Sequence, residues 1–124
     1  MKVEPATTDA QRAYGLMYRD RLDEDWGMIF IWPDEEPRSF WMKNTKVPLS
    51  IAFIGSDRIV RNIQDMEPMT QDSHESGVAV QFALEVNRGW FARNGIKPGS
   101  ELKFSAPLDD LVRKTVKGAK DGAE

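Results

Sequence analysis

Apolar residues recur along the chain in two rhythms. Near the start, Ala10, Ala13, Tyr14 and Met17 fall at i, i+3, i+4 and i+7, behind a Thr8 and Gln11 pair with capping-box spacing. The spacing predicts a short amphipathic helix ending near Tyr18. Arg19 to Asp25 is dense in charge, has no apolar stripe, and reads as a surface connection.

The rhythm then changes to that of strands. GMIFIW, Gly27 to Trp32, is almost wholly apolar and predicts a strand buried on both faces, stopped by Pro33 and the acidic DEEP turn. Arg38 to Lys43 alternates Phe40 and Met42 with Ser39, Trp41 and Lys43. Leu49 to Ile54 and Ile59 to Asp65 pair most simply as a hairpin across Gly55, Ser56 and Asp57. Glu67 to Gly77 is the longest loop. Val78, Val80, Phe82, Leu84 and Val86 form one face of a long strand, with Ala79, Gln81, Ala83, Glu85 and Asn87 opposite.

A helical turn from about Gly89 ends at Gly95, Pro98 and Gly99 fit a type II turn, and Glu101 to Ser105 makes a last short strand. The reading is mainly β: an antiparallel sandwich or partly closed barrel of six or seven strands with two short helices. Residues 1–106 form one β-rich domain. Residues 107–124 form a basic C-terminal tail, partly helical or frayed.

Composition narrows the function classes. A net charge of -3 argues against a nucleic-acid partner, because phosphate binding needs Lys and Arg in excess. The absence of cysteine excludes disulfides, thiolate nucleophiles and cysteine zinc sites. No run approaches the ~20 apolar residues of a transmembrane segment, and MKVEPATTD lacks the apolar core of a signal peptide, so the chain is either cytosolic or a form whose leader was removed.

No phosphate loop, HExxH helix, GxSxG elbow or calcium loop occurs, and no cofactor or metal is called for. His74 reads as a solvated loop residue. The acidic runs Asp23 to Asp25 and Asp34 to Glu36 read as hydrated loop acids. Glu85 stands out, since a carboxylate inside QFALEVN must face solvent or be partnered. FWMKNT, Phe40 to Thr45, gathers aromatics and hydrogen-bonding groups where a strand runs into a loop, a place for a pocket rim. The competing reading packs Trp41 and Met42 in the core and leaves Asn44 and Thr45 to shape the turn before Pro48.

GLMYR (Gly15 to Arg19), GMIF (Gly27 to Phe30), FWMKNT with VPL (Phe40 to Leu49), FALEVN (Phe82 to Asn87) and GIKPG (Gly95 to Gly99) occur in the order seen in the domain of unknown function 192 family. The chain resembles that family from about Val3 to Phe104. The resemblance implies a mostly β fold, prokaryotic and often exported, with no established activity. In that family a strand precedes the GLMYR helix, and only about Lys2 to Glu4 can belong to it here, so the resemblance implies an incomplete first strand, a mature or trimmed form, and a periplasmic or secreted protein. Ser50 departs from the family, which often has an acidic residue after the proline-leucine pair.

The leading expectation is an exported binding or accessory module in which Arg19, Trp41, Lys43, Asn44, Thr45 and Glu85 surround a small polar or anionic ligand. An enzyme using Glu85 or Lys43 as general acid or base on a small polar or carbohydrate substrate is the alternative. A protein-interaction module presenting Trp32 or Trp90 is a second.

Overall fold

The computed structural model describes residues 1–122. Five strands form one open mixed sheet in the order β1-β2-β5-β3-β4. They are β1 (Lys2–Ala6), β2 (Trp26–Phe40), β3 (Leu49–Ile54), β4 (Val60–Met66) and β5 (His74–Asn87), with helices α1 (Asp9–Tyr14), α2 (Trp90–Arg93) and α3 (Ala106–Gly122). No described helix is long and apolar enough to cross a membrane.

The mainly β character is as expected, but the strand count, the closure and the helix count are not. GMIFIW and the following Arg38 segment belong to one strand, β2, rather than two. Between Ile31 and Glu36 the strand runs ahead of its partner, which advances only from Phe82 to Val80, so residues 32–35 bulge and accommodate Pro33, whose nitrogen cannot donate to a ladder. Glu101 makes a single bridge to Ile59 and no strand. The N-terminal strand pairs parallel to β2, from Lys2 opposite Trp26 to Ala6 opposite Phe30, so the sheet is mixed.

The alternation read in FALEVN divides the molecule. Phe82, Leu84 and Val86 point with Ile29, Ile31 and Trp90 into a core on the second face, roofed by α2 and α3, to which Val112 contributes. Ala83 points with Met28, Phe30, Ile51 and Phe53 into a core on the first face, and Glu85, opposite Met28 and Ile51, shares that face. Val80, beyond the register shift between Ile31 and Glu36, also joins the core of the first face.

Two elements differ from their expected form. α1 stops at Tyr14 because Gly15 (φ 51°) leaves the helix, while the Thr8 and Gln11 capping box forms at its start. The segment expected to be partly helical or frayed is helix α3, with residues 123–124 outside the described residues. Its sequence is not basic: Arg113, Lys114, Lys117 and Lys120 are matched by Asp109, Asp110, Asp121 and Glu124.

Gly27 tests how tightly β2 and β5 are matched. A Cβ there would sit 2.8 Å from the Glu85 carbonyl oxygen and 3.1 Å from Val86 Cγ1, so the central ladder would have to yield. Gly27→Ala is expected to destabilise the protein by about 2 kcal/mol, typical of overpacking. Urea unfolding measures this, and an unchanged midpoint would contradict the close approach.

Candidate functional site

β2 folds back on itself. In an extended strand ten residues span about 33 Å, yet the rings of Phe30 and Phe40 meet edge to face with centroids 4.8 Å apart, and Trp32 lies 5.8 Å from Phe40. The bulge turns the far end of the strand over the first face of the sheet. Backbone bonds then fasten the connection after it: Tyr18 N donates to Asn44 O (2.9 Å), Met69 N to Thr45 O (2.9 Å) and Met42 N to Thr70 O (3.0 Å).

Between α1, this returned segment and the sheet lies a cavity of about 310 Å³, with Glu85 in its lining. Phe30, Trp32, Phe40 and Trp41 supply aromatic wall, and Arg12, Ser39 and Thr45 supply polar wall. Ala13, Tyr14 and Met17, the apolar stripe of the predicted amphipathic helix, line the cavity, and α1 itself buries no residue. Their apolar character serves the cavity rather than close packing.

Glu85 is 4% exposed and is the only buried ionisable residue among those described. No described residue hydrogen-bonds or ion-pairs with its carboxyl. Burial alone pushes its pKa up from 4.5 to about 8, because the ionised form loses its hydration without a compensating partner. The sequence leaves Glu85 either solvent-facing or partnered; no described protein group partners it, and its carboxyl opens onto the cavity.

The other expected residues separate. Trp41, 47% exposed, and Thr45, buried with its hydroxyl on Lys43 O (3.1 Å), line the cavity with Glu85. Arg19, Lys43 and Asn44 do not line it. Arg19 forms a two-pronged pair with Glu4 (2.6 and 2.7 Å), and this bond holds the Glu4 carboxyl below its ordinary range. The Lys43 ammonium stands over the Trp41 ring, 5.2 Å from its centroid. Asn44, in a left-handed turn at φ 55°, donates to the Tyr18 hydroxyl (2.9 Å) and so closes the turn after α1 against the rim.

Sequence reasoning missed Arg12. Its Nη1 donates to Thr7 O and Ile31 O (2.7 Å each) and its Nη2 to Asp9 (2.7 Å), which tethers α1 to the bulged strand. An arginine inside the predicted amphipathic helix, beside its apolar stripe, is the available signal. Trp90 is buried, and Trp32 is half-buried with the Arg38 guanidinium 4.5 Å from its ring centroid, so neither is the exposed docking aromatic of the interaction reading. His74 pairs with Phe40 in the sheet rather than lying in a loop, and no cluster of metal-ligating side chains occurs among the described residues. Asp34 and Glu36 lie in β2 beside Arg38 rather than in a turn.

Residues 1–104 match the DUF192 family, described as "Uncharacterized ACR, COG1430", and the chain belongs to it. No curated protein matches the chain. Two solved structures share the fold. One, from Sinorhizobium meliloti 1021 and described as a "putative transcription regulator", is 39% identical with a TM-score of 0.80, covering 82% of this chain and 79% of its own. The other, a protein of unknown function from Novosphingobium aromaticivorans DSM 12444, is 40% identical with a TM-score of 0.79, covering 82% and 74%.

The raised pKa of Glu85 makes stability depend on pH. In the unfolded chain the carboxyl ionises near 4.5, and in the folded protein near 8. Between those values folding takes up a proton, so the stability of the neutral buried acid is fully present below the lower value and is lost as pH rises through the upper one. Relative to Glu85→Gln, neutral throughout, the parent is expected to lose on the order of 1 kcal/mol per pH unit across that window. Urea unfolding of both proteins at pH 5, 6.5 and 8 measures it; a constant difference would mean that Glu85 is ionised and solvated.

Proposed function

We propose that this member of the DUF192 family is a small-ligand binding module whose recognition site is the cavity lined by Glu85 and Trp41. The observation that carries the reading is the unpartnered carboxyl of Glu85, held on the central strand in the lining of an aromatic-walled space at the small end of ligand-pocket size. Natural interiors seldom keep a buried polar group without a partner, and each such group calls for a reason.

The positions of the cations favour a polar ligand over an anionic one. Arg19 is engaged with Glu4, Lys43 stands on Trp41, and Arg12 is bonded to Asp9 and two carbonyls. An anion would also meet the Glu85 carboxyl and drive it further from ionisation. A DNA-directed role, as in the description of the Sinorhizobium relative, finds little support in a net charge of -3. An exported setting belongs to the proposal and is supported by the family resemblance alone.

An enzyme reading is favoured by one observation: the Glu85 pKa of about 8 lies close to ambient pH, where a carboxyl exchanges protons effectively as a general acid or base. The two readings diverge after binding, since only an enzyme alters what it binds.

A thermal-shift screen of small sugars, polyols, amides and amines tests the proposal. Compounds that raise the melting temperature of the parent are expected to lose their effect with Trp41→Ala and Glu85→Gln and to keep it with Arg19→Ala. Loss with Arg19→Ala and retention with Glu85→Gln would place the site elsewhere. Proton spectra of each binder incubated overnight with protein are expected to stay unchanged; new product resonances would establish the enzyme.

A further inference from the structure

We propose that the cavity receives a small organic cation, an alkylammonium group seated against the Glu85 carboxylate and flanked by aromatic rings. The inference rests on the binding reading above and names its ligand class. It starts from what the protein itself does with cations next to these rings. Arg12 and Arg38 stand over Trp32, 5.8 and 4.5 Å from its centroid, and Lys43 stands 5.2 Å from that of Trp41. Both indoles line the cavity, so the electron-rich aromatic surface that attracts these cations extends to its walls.

Charge balance points the same way. Glu85 lacks a counter-ion. Its neighbours across the sheet, Met28 on β2 and Ile51 on β3, are apolar, and the connection after β2 contributes the neutral Thr45. The charged and titratable groups in the lining besides Glu85 are Asp9, Arg12 and Tyr14, all on α1. Arg12 is bonded to Asp9 and to the Thr7 and Ile31 carbonyls, not to Glu85. A ligand that brings one positive charge supplies what the carboxyl lacks, and in a desolvated site that attraction is far stronger than in water. A neutral ligand would only exchange a hydrogen bond with the protonated acid, and a carboxylate would add repulsion.

A consequence separates the classes. Seating the ammonium requires Glu85 to ionise, so binding releases a proton, and affinity climbs with pH until the free carboxyl is already charged. For n-butylammonium, which stays protonated throughout, the dissociation constant is expected to fall by on the order of tenfold per pH unit between pH 6 and about pH 8. A neutral isostere, 1-butanol, is expected to bind independently of pH in that range.

Calorimetric titration of the full chain with n-butylammonium, tetramethylammonium, 1-butanol and butyrate, in two buffers of different ionisation enthalpy at pH 6.5, is the test. Close to one proton released per bound ammonium, absent with Glu85→Gln, supports the proposal. Trp41→Ala, a change at the exposed rim that leaves the core intact, is expected to weaken the ammonium at least tenfold. Butanol binding as tightly as butylammonium at pH 8, or ammonium binding unaffected by pH, overturns the cation class. If neutral probes still depend on Trp41 and Glu85, the binding cavity stands without its cation; if no probe depends on either, both readings fall.

Discussion

The antiparallel ladder between β2 and β5 is the constraint on which the rest of the molecule depends. β5 is the central strand, bonded to β2 on one side and β3 on the other, so its alternation decides which residues lie on each face of the sheet. The ladder is not uniform. The bulge at residues 32–35 bends β2 so sharply that Phe40 returns to touch Phe30, and the segment after it roofs the face that carries Glu85. An unbroken strand would carry Phe40 and Trp41 away from Glu85 and leave the first face to be covered by α1 alone, which buries nothing of its own.

The cost of that arrangement falls on Glu85. A leucine there would complete a row with Met28 and Ile51, whereas a carboxyl without a partner in a desolvated position costs a few kcal/mol relative to one in water. The neutral form reduces that cost without abolishing it, and this is what the elevated pKa expresses. Apart from Arg88 Nε, which lacks a partner, the buried polar groups behave conventionally: Ser50 donates to Asp65 (2.7 Å), Ser76 to the Val78 carbonyl (2.7 Å), and Gln81 to the Trp32 carbonyl (3.2 Å). Because satisfaction is the rule in the same sheet, the isolation of Glu85 is a feature of its site. Ser50 lies on the opposite face, since Ile51 and not Ser50 is aligned with Glu85.

The parts of this picture legible in the sequence are those fixed by local alternation. GMIFIW, LSIAFI and FALEVN announce buried strands, and the placement of an acid among Ala83, Leu84 and Val86 marks Glu85 from the sequence alone. What lay beyond reach depended on pairing. Pro33, Pro37 and the acids between them carry the signature of a turn, and only the partner strand shows that they form a bulge within one strand. Val3 and Ala6 could not reveal that β1 pairs parallel to β2. Arg19, Lys43 and Asn44 join the aromatics in the sequence reading on chemical grounds alone, as cationic and amide donors suited to a polar or anionic ligand. Beyond Phe40, however, the chain leaves the ladder, alternation stops predicting direction, and left-handed turns at Tyr18 and Asn44 send these groups elsewhere.

The two faces of the sheet are closed in different ways, and this bears on where a ligand could enter. The second face is sealed by Trp90 and Phe91 of α2 and by Leu108, Leu111 and Val112 of α3, a helix beyond the residues matched by the family. The face carrying Glu85 is covered by a six-residue helix and by connections held through single backbone bonds and the Asn44 to Tyr18 contact. Elements with few buried apolar contacts open at lower free energy than packed helices do. The buried acid therefore lies beside α1, the helix that buries no residue of its own, while the central strand fixes its position. A site that must hold a group in register and still admit a ligand needs both properties, and α1 with the returned end of β2 supplies the second without disturbing the first.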